Sequence, residues 1–148
     1  MTERGHVHQM AIRVYYEDTD SGGIVYYANY LRYAERARTE LLRTLGVESS
    51  ALMNDDGVAL AVRRCLIDYL KPALLDDALV VETEILKVGG ASLEARQTVL
   101  RGNEQLVSMD IKLGCLDLNS GRPRAMPGSV RTKLLEYFEN AENQMKKA

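Results

Sequence analysis

The fold is decided by residues 27–46, which read YANYLRYAERARTELLRTLG. Small or apolar side chains recur along this stretch at spacings of three and four residues, at Tyr30, Ala34, Ala37, Leu41 and Leu45. That spacing places them on one face of an α-helix. No proline interrupts the pattern, and Gly46 is the residue type expected just after a helix ends. The stretch therefore predicts an amphipathic helix from about Ala28 to Leu45.

Strand-forming patterns precede and follow this helix. The segment Ala11–Glu17, AIRVYYE, is rich in β-branched and aromatic residues, which favours a strand. Four long segments of the same kind follow the helix, at Val58–Leu70, Ala78–Val88, Ser92–Arg101 and Gln105–Leu118. The short sequences VGGA and RGNE separate the last three, and such glycine-containing connections predict antiparallel hairpins. A second helix is expected at about Ser129–Asn140.

These elements predict a single α+β domain that spans residues 1–148, with a core at about residues 11–127. One amphipathic helix and one antiparallel sheet can bury their apolar faces in two layers if a curved sheet wraps around the helix. The outer edge of such a sheet is long, and an unpaired strand edge favours association with a second chain. We therefore expect at least a homodimer, and the pattern is equally compatible with a tetramer.

The composition excludes several classes of protein. Apolar residues make up 46% of the chain and charged residues 27%, which is typical of a globular domain. The 19 Lys and Arg residues face 21 Asp and Glu residues, so there is no basic excess to bind nucleic acid. The longest uncharged stretch, residues 21–31, is too short for an integral membrane helix. The first residues, MTERGHVHQM, lack the apolar region of a secretory signal, so we expect a cytoplasmic location.

Metal, redox and nucleotide chemistry have little support in the sequence. Cys65 and Cys115 belong to no ligand pattern, and in a reducing compartment we expect both to be free thiols. His6 and His8 form an H-x-H pair, but no third ligand lies near them in the sequence, so we expect no metal site. Glycine-rich nucleotide motifs and the G-x-S-x-G elbow of serine hydrolases are absent from the sequence. We expect no cofactor.

The segment best suited to chemistry is residues 15–30, YYEDTDSGGIVYYANY. Its three carboxylates, Glu17, Asp18 and Asp20, crowd a turn that contains Gly22 and Gly23 and leads into the helix. The amino end of a helix presents free N–H groups and a positive dipole end, which can hold an oxyanion. A carboxylate beside that end could attack a carbonyl carbon or activate a water molecule. The same residues are also ordinary turn and capping residues, so their spacing alone leaves both interpretations open.

Several runs of this sequence resemble the motifs of a known family. The runs DTDSGGIVYYANY at residues 18–30 and RYAERAR at residues 32–38 resemble the signature of hot-dog-fold acyl-CoA thioesterases of the 4-hydroxybenzoyl-CoA thioesterase type. Further similar blocks are DYLKPA at residues 68–73, and CLD at 115–117 with GRP at 121–123. The resemblance covers about residues 12–127 and is greatest to the branch associated with the Tol-Pal cell-envelope system. It implies a hot-dog fold, in which a curved antiparallel sheet wraps around one long helix.

The resemblance also implies an activity and a set of site residues. The activity is hydrolysis of acyl-CoA thioesters to a free acid and CoA. Asp20 falls on the position of the nucleophile or general base, and Tyr27 falls on the residue whose main-chain amide polarises the thioester carbonyl. Asp18 and Glu17 match positions that usually hold the turn. Expected substrate contacts, the last two across a dimer interface, are Gly23, Val25, Tyr26, Asn29, Val62 and Arg63.

One position departs from the family pattern. The Tol-Pal-associated branch often carries His where this chain has Tyr27. A tyrosine side chain, with a reference pKa of about 10, is not a base near neutral pH. A role for the Tyr27 main-chain amide is unaffected by this change, so the departure bears on the branch more than on the reaction.

Two other functions stay open at this stage. A hot-dog dehydratase would need a histidine beside its carboxylate, and this chain has no histidine after residue 8. A non-catalytic scaffold of the cell-envelope machinery could bind acyl chains or an acyl-carrier protein through the same fold. Four basic residues could contact CoA phosphates or could simply face solvent: Arg122, Arg124, Arg131 and Lys133.

Overall fold

Helix α1, Asn29–Thr44, is the central element of the computed structural model, which describes residues 7–147, with side chains up to residue 143. The predicted helix is confirmed to within one residue at each end. Its buried face consists of Asn29, Tyr30, Tyr33, Ala34, Ala37, Leu41 and Leu42. Gly46 ends it with a positive φ of 81°, and the Val47 N–H donates to the Leu42 carbonyl oxygen at 2.9 Å. This C-terminal cap is the one that Gly46 predicted.

Five strands form one antiparallel sheet against α1. Their bounds are β1 His8–Arg13, β2 Val58–Tyr69, β3 Ala78–Val88, β4 Ser92–Arg101 and β5 Glu104–Asp117. The strand order is β1-β3-β4-β5-β2, so β1 and β2 form the two edges. The two predicted hairpins, β3–β4 and β4–β5, are confirmed, and so is the α+β class.

The prediction of a strand over Ala11–Glu17 is wrong at its carboxyl end. The strand is shifted towards the amino terminus, and Tyr16–Asp18 forms a single turn of 3₁₀ helix. The Tyr15 N–H donates to Asp18 Oδ2 at 2.9 Å, which closes this turn. A local bond from a side chain to the backbone therefore outweighs the strand preference of the two tyrosines.

Two helical segments differ from the predictions. Residues Ser49–Ala51 form a short helix, α2, which continues as a wider turn over Leu52–Asp56; nothing was predicted there. The last helix, α3, spans Gly128–Lys147 and is longer than the predicted Ser129–Asn140. Its Val130 and Leu134 are buried in the same core as α1.

The core lies between α1 and the sheet and is almost wholly apolar. Among the largest fully buried side chains are Tyr33 of α1, Leu79 and Val81 of β3, and Met109 of β5. The edge strand β2 is different, because six of its twelve residues are exposed. No helix within residues 7–147 combines the length and the apolar composition that a membrane crossing requires.

Candidate active site

Residues 18–26 form a small hairpin just before α1. The Tyr26 N–H donates to the Asp18 carbonyl oxygen at 2.9 Å, and the Asp20 N–H donates to the Ile24 carbonyl oxygen at 3.0 Å. At the tip, the Gly23 N–H returns to the Asp20 carbonyl oxygen at 3.1 Å, and Gly23 has a φ of 74°. Glycine takes up this left-handed conformation without steric cost, so it suits the tip of the hairpin.

The Asp20 side chain is exposed at the start of this tip. Its Oδ1 accepts a hydrogen bond from the Gly22 N–H at 3.0 Å. Within residues 7–147 no hydrogen bond reaches Oδ2. Asp18 has a different setting, since it is half-buried and its carboxylate closes the turn at Tyr15. One oxygen of each carboxylate is bonded, so the difference lies in exposure: Asp20 is the more exposed of the two and the more open to a ligand.

The hairpin rests on the loop that follows β2. The Val25 N–H donates to the Ala73 carbonyl oxygen at 2.9 Å, and the Leu75 N–H donates to the Gly23 carbonyl oxygen at 3.1 Å. The buried hydroxyl of Tyr30 accepts from the Ala73 N–H at 3.0 Å. These bonds fix the hairpin against both the loop and the first turn of α1.

Asn29 ties the hairpin to the start of α1. Its Nδ2 donates to the Asp18 carbonyl oxygen at 2.7 Å, and its backbone N–H donates to the Tyr26 carbonyl oxygen at 2.9 Å. The side chain is buried, with 7% of its surface exposed. In this structure Asn29 holds the backbone on both sides of the site.

Tyr27 lies at the amino end of α1, where the chain becomes helical at Ala28. Its carbonyl oxygen accepts a hydrogen bond from the Tyr69 hydroxyl at 3.2 Å. Its own N–H has no acceptor among the residues that the structure describes. An unpaired N–H at the positive end of a helix can stabilise a developing negative charge on a bound oxygen.

An apolar cavity of about 240 Å³ adjoins Tyr27. Its lining residues are Ile24, Val25, Tyr27, Tyr30, Tyr69, Leu70, Lys71 and Pro72. The Tyr69 ring packs edge-on against Tyr27 and Tyr30, with ring centroids 6.3 and 5.8 Å apart. Burial raises the pKa of Tyr30 and of Tyr69, so both hydroxyls stay neutral at pH 7.

Sequence reasoning did not give Tyr69 a role. Tyr69 was named only as part of DYLKPA, one of the runs that resemble the family. Its place at the end of a strand, directly before a proline-containing turn, gives no sign that the hydroxyl reaches a residue 42 positions earlier. Only the position of β2 relative to α1 shows that contact.

The residues predicted to contact substrate do not all lie at one place within a single chain. Gly23, Val25 and Tyr26 belong to the hairpin, whereas Val62 lines a separate cavity of about 420 Å³ between α1 and β2. Arg63 is the extra residue of a β-bulge, and its stem crosses Gly114, where a Cβ would stand 2.6 Å from Arg63 Cδ. The expectation that Val62 and Arg63 complete a partner's site stays a prediction.

The remaining candidates have contacts of their own. Arg124 donates to the Asp56 carbonyl oxygen at 3.1 Å, and Arg131 donates to the Gly89 carbonyl oxygen at 3.1 Å. His8 lies in β1, where burial lowers its pKa, and His6 lies outside the described residues. Within residues 7–147 no group of three or more His, Cys, Asp or Glu side chains could hold a metal ion. Cys65 and Cys115 are free thiols.

Comparison with known proteins identifies the family. Residues 22–108 match the model of a family described as the thioesterase superfamily, which is more than half of the chain. The chain belongs to the thioesterase superfamily. This confirms the resemblance on which Asp20 and Tyr27 were assigned, while their roles in this chain stay predictions.

Members of the thioesterase superfamily from several bacteria resemble the chain over most of its length. This chain is 45% identical over 120 residues to the acyl-CoA thioesterase YbgC of Haemophilus influenzae, and the alignment covers 81% of this chain and 88% of that protein. It is 42% identical over 120 residues to the acyl-CoA thioester hydrolase YbgC of an Escherichia coli O6:H1 strain, covering 80% and 89%. The crystal structure of a probable thioesterase from Bartonella henselae superposes with a TM-score of 0.77 at 33% identity, covering 82% and 99%. The hot-dog fold is thereby confirmed.

Proposed function

We propose that this protein hydrolyses acyl-CoA thioesters, with the Asp20 carboxylate as nucleophile or general base and the Tyr27 N–H as the group that polarises the carbonyl. The observation that carries the proposal is the unpaired Tyr27 N–H at the amino end of α1. It follows directly on a hairpin whose tip presents a half-free carboxylate. The names of the YbgC relatives, acyl-CoA thioesterase and thioester hydrolase, support the same reaction.

The chemistry follows from the charges at the two ends of the site. A thioester oxygen that accepts from the Tyr27 N–H gains negative charge as the carbonyl carbon is attacked, and the helix end stabilises that charge. Asp20 either attacks the carbon itself or removes a proton from an attacking water molecule. CoA leaves as a thiolate in both routes. If Asp20 attacks, water then cleaves the resulting mixed anhydride and restores the carboxylate.

The proposal assigns the work at position 27 to the main chain, so the Tyr27 side chain is dispensable. Tyr27→Phe keeps the amide and the ring, and we expect it to retain most of the activity. A fall in kcat of about a hundredfold, which is roughly 2.7 kcal/mol of transition-state stabilisation, would show that the hydroxyl takes part directly.

The site extends to a second copy of the chain in this proposal. Strand β2 is an unpaired edge of twelve residues, and its Val62, Leu66 and Tyr69 are about half exposed or more, at 49%, 64% and 47%. Apolar side chains on an unpaired edge favour pairing with another strand. A homodimer formed there would bring the partner's Val62 and Arg63 towards the site, and a tetramer of two such dimers would leave that contact unchanged. Sedimentation that shows only a 16.6 kDa species at micromolar concentration would reject the shared site.

The activity is tested by a screen of CoA release from short, long and aromatic acyl-CoAs, with an acyl-carrier-protein thioester in parallel. Saturated acyl groups belong in the screen because a dehydratase would not release CoA from them. We expect turnover with at least one class. Tight binding of acyl-CoA without any release of CoA would instead favour a non-catalytic scaffold.

A further inference from the structure

The cavity that Val62 lines has a polar side that the proposed reaction does not use. It has a volume of about 420 Å³ and lies between α1, the α2 segment and β2. Its apolar lining is formed by Leu42, Leu52, Met53, Ala59, Leu60, Val62 and Leu113. Its polar lining is formed by Glu35, Arg38, Thr39 and Ser49. A volume above about 300 Å³ is within the range of small-molecule sites.

Arg38 is fixed in this lining by a buried amide. Its Nη1 donates to Gln97 Oε1 at 2.9 Å. Gln97 is fully buried in β4, and its Nε2 donates to the Ala34 carbonyl oxygen and to Thr83 Oγ1, both at 2.9 Å. These two acceptors fix the orientation of the Gln97 amide, so its oxygen faces the guanidinium. Arg38 is therefore held in place before any ligand binds.

Arg38 forms no salt bridge with residues 7–147, although the exposed Glu35 of the same cavity attracts its charge from a greater distance. No carboxylate of the described chain lies within 4.0 Å of its guanidinium, whereas Arg101 pairs with both Asp77 and Glu104 at 2.8 and 2.7 Å. Arg38 is half-buried, and burial lowers its pKa, but a guanidinium stays charged at neutral pH. The bond to Gln97 uses only one of the five N–H donors of the Arg38 guanidinium, so the others are available to a ligand. Charges removed from water are normally paired, so this guanidinium is suited to an anionic ligand.

The position of Arg38 on α1 sets its distance from Tyr27. It follows Tyr27 by eleven residues, which is about 16 Å along a helix axis at about 1.5 Å per residue. Side chains of a helix lean towards its amino end, so the guanidinium is nearer to Tyr27 than its Cα is. The cavity at Tyr27 and the cavity at Arg38 share no lining residue, but both are lined by residues of α1 and β2. An acyl group whose carbonyl lies at Tyr27, and whose chain runs along α1 from the first cavity into the second, would point its far end at Arg38.

We propose that Arg38 binds a carboxylate at the far end of the acyl group, so that the preferred substrates are thioesters of dicarboxylic acids. This rests on the proposed function, because it takes the carbonyl to lie at Tyr27. The Arg38 guanidinium forms charge-assisted hydrogen bonds with the carboxylate, and the apolar lining holds the methylene chain. Glu35 lines the same cavity but is exposed, so water screens its charge.

The test compares suberoyl-CoA with octanoyl-CoA, which differ only in the terminal carboxylate. For the wild-type protein we expect kcat/KM to be about tenfold or more higher for suberoyl-CoA, as for a charge-assisted bond. Arg38→Met should abolish this preference while changing kcat/KM for octanoyl-CoA by less than about threefold. Arg38→Lys should restore part of it. The matched control is Arg36→Met, which removes an exposed arginine of the same helix and should change neither value.

Equal or higher kcat/KM for octanoyl-CoA in the wild-type protein would overturn the inference, and this measurement needs no variant. An equal loss for both substrates in Arg38→Met would also overturn it, since that is the effect of a purely structural arginine. If the wild-type protein hydrolyses neither thioester, the kinetic comparison cannot be made, and the proposed function is judged by the wider screen of acyl-CoAs. Calorimetry with free suberate then decides the site alone: binding that Arg38→Met or Arg38→Lys weakens supports it, and no binding rejects it.

Discussion

The hairpin at residues 18–26 and the core beneath α1 are held together in different ways. In the core, Tyr33, Ala34 and Ala37 expose none of their surface, and apolar packing against the sheet fixes α1. In the hairpin, Asp20 and Tyr26 are exposed, and backbone hydrogen bonds to the Ala73 region and to Asn29 fix the chain. Small changes in the hairpin can therefore move the Asp20 carboxylate and the Tyr27 N–H while packing in the core still maintains the fold. Substitutions in the two regions should affect different measurements.

The largest effect on stability is expected in the core. Leu79 of β3 is 1% exposed, and Leu79→Ala should lower the free energy of unfolding by about 2–5 kcal/mol, through lost burial and the cavity that it leaves. Leu118→Ala removes the same atoms from a side chain that is 47% exposed and should cost less than about 0.5 kcal/mol. Urea unfolding measures both. If the two variants lose a similar amount of unfolding free energy, burial of the core side chains is not what stabilises the fold.

Substitution of two glycines, one in the site and one outside it, distinguishes the effect of backbone strain on stability from its effect on activity. Gly23 and Gly102 both have a positive φ, at 74° and 62°, and an added Cβ meets nothing within 4 Å at either position. Alanine should therefore cost about 1–2 kcal/mol at each, since both force an L-residue into the left-handed region. Only Gly23→Ala should also lower kcat, by about tenfold or more, because it displaces Asp20 relative to Tyr27.

Gly102 lies in the turn between β4 and β5 and serves as the control for Gly23. Kinetics at a temperature where both variants are folded compares them directly. If the two variants lose activity to the same extent, the hairpin has no special role.

A smaller effect is expected at Tyr69, the last residue of β2, which contacts Tyr27. Tyr69→Phe removes the hydroxyl that donates to the Tyr27 carbonyl oxygen, and it keeps the ring packing. We expect a loss of stability below about 1 kcal/mol and a fall in kcat of roughly threefold to tenfold. Tyr16→Phe is the control, because Tyr16 is 81% exposed. An unchanged kcat in Tyr69→Phe would show that this hydroxyl does not position Tyr27.

The smallest effect at neutral pH is expected at Tyr33. Its hydroxyl is buried and has no hydrogen-bond partner among the described residues, so Tyr33→Phe should change stability by less than about 1 kcal/mol at pH 7. Burial, reinforced by the nearby Asp18 carboxylate, raises the pKa of Tyr33 above its ordinary value of about 10. The native state therefore keeps a proton that the unfolded chain loses, and stability falls as the pH rises above about 10.

Removing this hydroxyl should make the alkaline loss of stability less steep. Unfolding free energies of the wild type and of Tyr33→Phe between neutral and strongly alkaline pH measure the difference. Identical slopes would show that Tyr33 ionises as freely in the native state as in the unfolded chain.

Much of the core could be predicted from the sequence, because burial leaves a periodic pattern. The spacing of Tyr30, Ala34, Ala37 and Leu41 gave α1, and the β3 and β4 bounds matched the structure. The α2 segment carries no such period, and β1 was displaced because an Asp18 side chain closes a turn where residue preferences favour a strand. The order β1-β3-β4-β5-β2 depends on long-range pairing, which local patterns do not contain.

The site was only partly accessible to the same reasoning. The carboxylates and glycines before α1 indicated a place for chemistry, and the family resemblance singled out Asp20 and Tyr27. The contacts of Tyr69 with Tyr27 and of Arg38 with Gln97 join residues 42 and 59 positions apart. Such contacts follow from the packing of α1 on the sheet, and no local motif marks them.

The most direct test of the proposed chemistry compares the two aspartates of the hairpin. Asp20→Asn keeps the size and much of the hydrogen bonding of the side chain, but it loses both nucleophile and base. We predict a fall in kcat of about a hundredfold or more, with acyl-CoA binding and the folded state retained. Asp18→Asn, at the closed turn, should weaken stability by about 1 kcal/mol and leave kcat within about threefold of the wild type. Near-wild-type kcat in Asp20→Asn, or a larger loss in Asp18→Asn, would contradict the assignment of Asp20 as the catalytic carboxylate.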